Sequence, residues 1–283
     1  MIKFGPGGNC EWFKAEGNKS SDQMPAFLDK IGLDAYEVEC GRGVRMNPQS
    51  ADRLRAEAEK YGTLLSVHAP YYISMSSLEE EKRKGSVRYL LETAALAKRI
   101  GATRIIFHSG SCAKLSREEA VRLALDTLRM AIDAYKAEGY EDLILCPETM
   151  GKINQLGSLE EVMALCSLDD RLLPTIDFGH LNAREQGRFF SAADYEQVLD
   201  VMQDGLGEWR SKNFHAHFSK IEYTQGGEKR HLTFEDQIYG PEFSPLAEVL
   251  VKREASPIII CESAGSQSKD ALEMKKIALS MKK

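Results

Sequence analysis

Short apolar runs recur along this chain, and most end in a polar residue. Leu64-Leu65-Ser66-Val67 runs into His68, and the chain then breaks at Pro70. Ile105-Ile106-Phe107 runs into His108, and Leu143-Ile144-Leu145-Cys146-Pro147 into Glu148. Pro174-Thr175-Ile176 ends at Asp177, with His180 three residues on; Asn213-Phe214 leads into His215 and His217; Ile258-Ile259-Ile260-Cys261 leads into Glu262. Short apolar runs bounded by turn formers are the mark of strands buried on both faces. The pattern predicts strands near residues 2–5, 35–40, 64–68, 104–108, 143–147, 174–177, 213–218 and 257–261.

Helical patterns lie between the strands. Val87, Leu90, Leu91, Ala94 and Ala97 form one amphipathic stripe, which ends near Ile100-Gly101. Ser116 with Glu119 and Ser158 with Glu161 read as capping boxes, and Ser191 with Asp194 as a weaker one. Ser50 is read as preceding a helix that carries Leu54 and Ala58. Ser244-Pro245 puts a proline in a first helical turn.

Eight strands alternating with helices predict a single (β/α)8 TIM barrel, an α/β fold spanning residues 1–283. No repeat, composition shift or low-complexity segment marks a second domain. The long irregular stretches, 5–20, 40–49, 69–77, 178–190 and 219–243, each begin at or just after the end of a strand. The active site of such a barrel belongs on that face. The run Glu79-Glu80-Glu81-Lys82-Arg83-Lys84 reads as a solvated helix start.

Composition narrows the function classes. The chain has 283 residues, 43% hydrophobic and 28% charged, with a net charge of −6. No apolar run is long enough to span a membrane, and no signal peptide is visible, so the cytoplasm is the expected compartment; a monomer is expected. Net negative charge excludes a generally basic nucleic-acid binder but leaves room for a local basic groove. None of the six cysteines forms a Cys-x-x-Cys pair, which argues against a thiolate zinc site. Cys40, Cys146 and Cys261 read as small buried hydrophobes at strand ends.

The polar residues at the strand ends carry the chemistry. Five of the six histidines lie in these stretches, and the sixth, His231, follows in the loop after His215. His68, His108, Glu148, Asp177, His180, His215, His231 and Glu262 would converge on one rim. Histidine and carboxylate without cysteine suit divalent metals, and so many ligands exceed what one tetrahedral ion needs. Glu148 could bridge two ions about 3.5–4 Å apart, as in two-metal phosphoryl chemistry. His217 could be a ligand, a hydrogen-bond donor behind one, or a substrate contact. Arg42, Arg45, Tyr71 and Tyr72 could grip a phosphate backbone and wedge against a base or sugar, or be ordinary exposed loop residues.

At these residues the chain resembles the endonuclease IV family of apurinic/apyrimidinic endonucleases, within the xylose-isomerase-like barrels. The similar motifs are Ser66-Val67-His68-Ala69-Pro70-Tyr71, Phe107-His108-Ser109-Gly110-Ser111, Pro147-Glu148-Thr149-Met150-Gly151, Ile176-Asp177-Phe178-Gly179-His180, His215-Ala216-His217-Phe218-Ser219-Lys220, Arg230-His231 and Cys261-Glu262-Ser263. The resemblance implies a zinc-dependent phosphodiesterase that cuts DNA 5′ to an abasic site. It implies two or three zinc ions, with Mn²⁺ as an alternative. His68, His108 and Glu148 would hold one ion, and Glu148, Asp177, His215 and Glu262 a second. His180 and His231 would help to hold a third.

Two departures stand out. The family carries an aspartate two residues before the last histidine, where this chain has Lys229 with Glu228 beside it. A weakly held third ion, tightened by Lys229→Asp, is therefore expected. The family's Gly-Ser-His at the first strand end is Gly5-Pro6-Gly7-Gly8 here. The alternative activity is a sugar isomerase or epimerase on the same barrel, with one or two ions and with Glu148 and Glu262 as proton-transfer bases.

Overall fold

A computed structural model describes residues 1–281. Its strands are β1 (Lys3–Pro6), β2 (Ala35–Glu39), β3 (Leu64–His68), β4 (Arg104–Phe107), β5 (Ile144–Pro147), β6 (Thr175–Asp177), β7 (His215–Phe218), β8 (Ile221–Thr224), β9 (Gly227–His231) and β10 (Ile258–Cys261). The eight strands expected from the apolar runs are all present. They pair in parallel as two sheets, β2-β3-β4-β5 and β1-β10-β7-β6. Single bridges join the sheet edges, Gly7 to Glu37 on one side and Glu148 to Thr175 on the other. The fold is a TIM barrel with its parallel strands covered by helices.

The helices begin where local chemistry dictates. Ser116, Ser158 and Ser191 form capping boxes with Glu119, Glu161 and Asp194. The longest stripe lies on helix Glu80–Ile100, ended by Gly101 in the left-handed region. Val87, Leu90, Ala94 and Ala97 are buried on it, while Leu91 is only half-buried. Complete burial of a side chain such as Leu90 contributes about 1.5–3 kcal/mol. The helix expected after Ser50 starts earlier, at Pro48, because the Asn47 side chain accepts from the Ser50 amide and makes Asn47 the cap.

Three stretches read as irregular contain regular structure. Glu11–Ala15 and Phe178–Arg184 are short helices, and 219–243 contains an antiparallel hairpin of β8 and β9. A five-residue helix is too short to show a clear period, and a hairpin rich in Glu, Lys and Arg carries little apolar alternation. All six cysteines are free and buried. Among the described residues, no helix is long and apolar enough to cross a membrane.

The barrel leaves little slack at β1. A β-carbon on Gly5 would lie 1.7 Å from the Ala35 carbonyl oxygen, so only glycine lets β1 approach β2 there. At Gly7 a β-carbon would meet the Glu39 carboxylate at 3.1 Å. The first strand end thus leaves no room for a side chain, and Glu39 fills the space beside Gly7 and Gly8.

Candidate metal centre

Strand register sets the height of each polar side chain in the barrel. Asp177 pairs with His217, and Thr175 with His215. Residues two apart on a strand face the same way, about 6–7 Å apart along it. His217 therefore stands at the rim beside Asp177, and His215 lies one layer below. Glu39 pairs with His68, and Glu37 with Ser66 in the lower layer.

At the rim, both oxygens of Glu148 are engaged. Oε2 lies 3.2 Å from His68 Nε2 and 3.2 Å from His108 Nε2. Oε1 lies 2.9 Å from His217 Nδ1 and 3.5 Å from His180 Nδ1. Glu262 Oε1 is 3.4 Å from His217 Nδ1. The His68 ring is oriented by its other nitrogen, 2.8 Å from the Ala69 carbonyl. Asp177 caps the next helix by accepting from the His180 amide at 2.7 Å, which leaves its Oδ2 buried without a hydrogen-bond partner.

A third group lies to one side. His180 Nε2 is 3.4 Å from Glu228 Oε2, and His231 Nε2 is 3.9 Å from Glu228 Oε1. The His180 Nδ1 faces the Thr149 carbonyl at 3.0 Å, so Nε2 is the nitrogen free to ligate. Among the overlapping sets of side chains that could hold ions are His68, His108 and Glu148; Glu148, Asp177, His217 and Glu262; and His180, Glu228 and His231. All of these except Asp177 and His217 line a pocket of about 390 Å³ that Glu39, Tyr71 and Lys152 also line.

The donor set fits divalent cations. Zinc bonds of about 2.0–2.1 Å in a tetrahedron set neighbouring ligand atoms about 3.3–3.4 Å apart. Most of the separations above match that edge and are long for hydrogen bonds. The orphaned oxygen of Asp177 and the convergence of Glu148, Asp177, Glu228 and Glu262 point the same way, since buried carboxylates need a compensating charge.

Without metal, protons balance these charges. Burial works against charge on His68, yet Glu148, Glu39 and Glu37 together push its pKa up to about 10. Burial likewise opposes the charge on His217, but Glu262, Glu37 and Glu148 outweigh it and raise its pKa well above the ordinary value. Burial, with Glu148, Asp177 and Glu39 adding to it against His217, lifts Glu262 to about 8. Burial would raise Glu148 too, but His217, His108 and His180 hold it well below the usual carboxylate range.

A pH dependence follows. The raised pKa of His68 adds stability that is complete below its unfolded value, about 6.5, and is lost as pH climbs through about 10. Glu262 acts in the same sense up through about 8. Glu148 has the opposite sign, and its contribution is lost only as pH falls below the carboxylate range. The metal-stripped protein should lose melting temperature steadily from pH 6.5 to 10, whereas zinc should bind more tightly over the same interval as its ligands shed protons. Melting curves in chelator across that range check this; a flat profile contradicts it.

The structure revises several sequence expectations. His215 lies outside the rim set, its place taken by His217, because β7 carries the chain one further pair of residues upward. His215 faces Glu37 instead, Nε2 to Oε2 at 3.0 Å. Arg42 and Arg45 line a neighbouring cavity of about 660 Å³, which meets the metal pocket at Glu39. Tyr71 is exposed at the pocket mouth, whereas Tyr72 packs edge-on against Tyr89.

Lys229 faces away from the pocket. Glu222 pairs with Arg230 and Tyr223 with Glu228, so Lys229 is the extra residue of a β-bulge. Lys229 and Arg230 both bind Glu222, at 2.6 Å each. The bulge puts Glu228 on the same face as His231, and the expected tightening of an ion by Lys229→Asp loses its basis.

Sequence reasoning missed Glu37 and Glu39. The signal was present: two glutamates with period two inside the strand Ala35-Tyr36-Glu37-Val38-Glu39. Glutamate is depleted in strands and almost never fully buried unless paired.

Comparison with known proteins gives the family. The sequence profile of the xylose isomerase-like TIM barrel family matches residues 25–282. The chain belongs to that family. An uncharacterised protein of Methanocaldococcus jannaschii is 33% identical over 236 residues, covering 83% of this chain and 84% of the relative. A probable endonuclease 4 of Acholeplasma laidlawii is 28% identical over 158 residues. That match covers 55% of this chain and spans about half of the relative, 53%. Among solved structures, endonuclease IV from Thermus thermophilus aligns with a TM-score of 0.68 at 19% identity, over 99% of this chain and 98% of that one. A D-tagatose 3-epimerase-like protein aligns equally well, with a TM-score of 0.68 at 20% identity over 99% and 97%. At such identities the two structures show the shared fold.

Proposed function

We propose that this family member is a zinc-dependent phosphodiesterase that hydrolyses DNA on the 5′ side of an abasic site. The observation that carries this reading is the double engagement of Glu148. One oxygen faces His68 and His108 while the other faces His217. A sugar epimerase working with one ion would use a single ligand set. The extra histidines, with the third set of His180, Glu228 and His231 beside them, suit several ions acting on a phosphate. The probable endonuclease 4 relatives support the same choice.

Bound ions would activate water and stabilise charge on the attacking and leaving oxygens. The chain's own residues do the rest. Glu148 fixes the spacing of the two main sets. Ala69 and Thr149 carbonyls aim His68 and His180. Tyr71 stands at the mouth, placed to meet a sugar or base. Arg42 and Arg45, beside the neighbouring cavity, would contact flanking phosphates.

A duplex with one abasic site, an undamaged duplex and a panel of ketoses, each incubated with the zinc-loaded protein, tests the reading. Nicking 5′ to the abasic sugar alone is expected. An intact duplex together with turnover of a ketose would move the assignment to the epimerase. Duplex affinity should also fall steeply with salt, and Arg42→Ala and Arg45→Ala should each lower the salt slope by about 1. Binding indifferent to salt would contradict a DNA substrate.

A further inference from the structure

Beneath the rim lies a second, fully buried polar layer that no role above uses. Glu37 Oε1 is 2.8 Å from His217 Nε2, and Oε2 is 3.0 Å from His215 Nε2, ion-pair distances at which neither ring nitrogen nor Glu37 Oε1 is aligned for a hydrogen bond. Ser66 donates to Oε2 at 2.6 Å. All four side chains are buried. Glu37, His215 and His217 could be read as one more ion site, but their spacing argues otherwise. An ion with bonds of about 2.05 Å to both Glu37 and His217 would be pinched to an angle below about 90°, far from tetrahedral. A carboxylate oxygen and an imidazole nitrogen 2.8 Å apart attract only if the nitrogen carries a proton.

We propose that Glu37 is a positioning residue for the metal centre: it holds the Nε2–H of His217 from below and so presents Nδ1 to the ion shared by Glu148, Asp177, His217 and Glu262. Histidine ligands generally have such a carboxylate behind them, which fixes the tautomer and ring orientation. The rim geometry agrees, since His217 Nδ1 is the atom nearest Glu148 and Glu262, at 2.9 and 3.4 Å. Ser66 and His215 hold the far oxygen, so Glu37 cannot swing away without losing both contacts. The carboxylate belongs to β2, whereas His217 belongs to β7, so ligand orientation is set across the barrel.

The inference rests on the metal-binding reading of the pocket and not on the choice of substrate. The test uses the full-length protein, stripped of metal and titrated with zinc against a chromophoric chelator. Glu37→Gln keeps the side-chain volume but removes a buried charge, so zinc affinity is read at a temperature where the melting curve shows the stripped variant folded. The substitution should weaken one zinc ion roughly 10–100-fold while leaving the others. In a His217→Ala background, Glu37→Gln should have no further effect on zinc affinity, because its influence passes through that ring. Nitrogen NMR of the wild type should show His217 as the Nε2–H tautomer in the zinc-loaded form.

A change in affinity below about threefold in Glu37→Gln would overturn the proposal. So would an equal loss in the His217→Ala background, which would mark Glu37 as merely structural. A zinc count lower by one in Glu37→Gln, with the rim ions unaltered, would place an ion in the lower layer and overturn it as well. A wild type that binds no zinc is a separate result and removes the metal reading itself.

Discussion

Glu148→Gln is expected to give a folded protein whose turnover is cut by roughly 10³-fold, on the order of 4 kcal/mol of barrier. The reason is its position between two ion sets. One oxygen serves His68 and His108, and the other faces His217. The amide of glutamine keeps the shape but removes the charge from both sets at once. The stripped protein should fold but melt lower than wild type at neutral pH, because Gln fits the same space at the end of β5 without the charge that balances His68 and His217. Metal analysis should show the two main ions weakened together, and single-turnover cleavage of the abasic duplex should show chemistry slowed. A variant with near-wild-type rate would refute the bridging role.

Glu228→Ala is expected to remove the third ion and leave the other two. Glu228 is the only carboxylate that lies between His180 and His231 in that set, 3.4 Å from one and 3.9 Å from the other. Two neutral imidazoles alone bind a divalent ion poorly, so the zinc count should fall by one, and cleavage should fall by at least roughly tenfold. Lys229→Ala is the control. Its ammonium pairs with Glu222 on the opposite face and is half exposed, a contact worth about 0–1 kcal/mol. The control should keep zinc content and activity. An equal loss in both variants would mean that the hairpin acts through its packing and not through the Glu228 carboxylate.

Much of this was legible in the sequence. Apolar runs marked most of the eight barrel strands, because strands buried on both faces write their burial as continuous hydrophobicity, while 2–5 and 35–40 carry polar residues within them. Capping serines were legible because a cap is a local event between residues three apart. His68, His108, Glu148, Asp177, His180 and Glu262 stood out because they end or follow such runs, whereas His231 was singled out by the family resemblance. What failed was register. Whether His215 or His217 reaches the rim depends on how β7 aligns with β6, a non-local fact that neighbouring residues do not encode. Glu37 was missed for a related reason. Its partners come from β3 and β7, distant in sequence.

The bulge in the β8–β9 hairpin has a consequence for how such sites are recognised. With Lys229 looped out of the pairing, Glu228 and His231 occupy positions that an unbulged strand would give to an acid and a histidine two apart. Glu228-Lys229-Arg230-His231 is thus the pattern acid-x-His with one residue let in. A search that demands fixed spacing would score this chain as having lost a ligand and would retire a whole ion site. Counting paired positions across the hairpin instead keeps the acid. In barrels of this kind a missing ligand is better judged by which way the neighbouring residues face than by their distance along the chain.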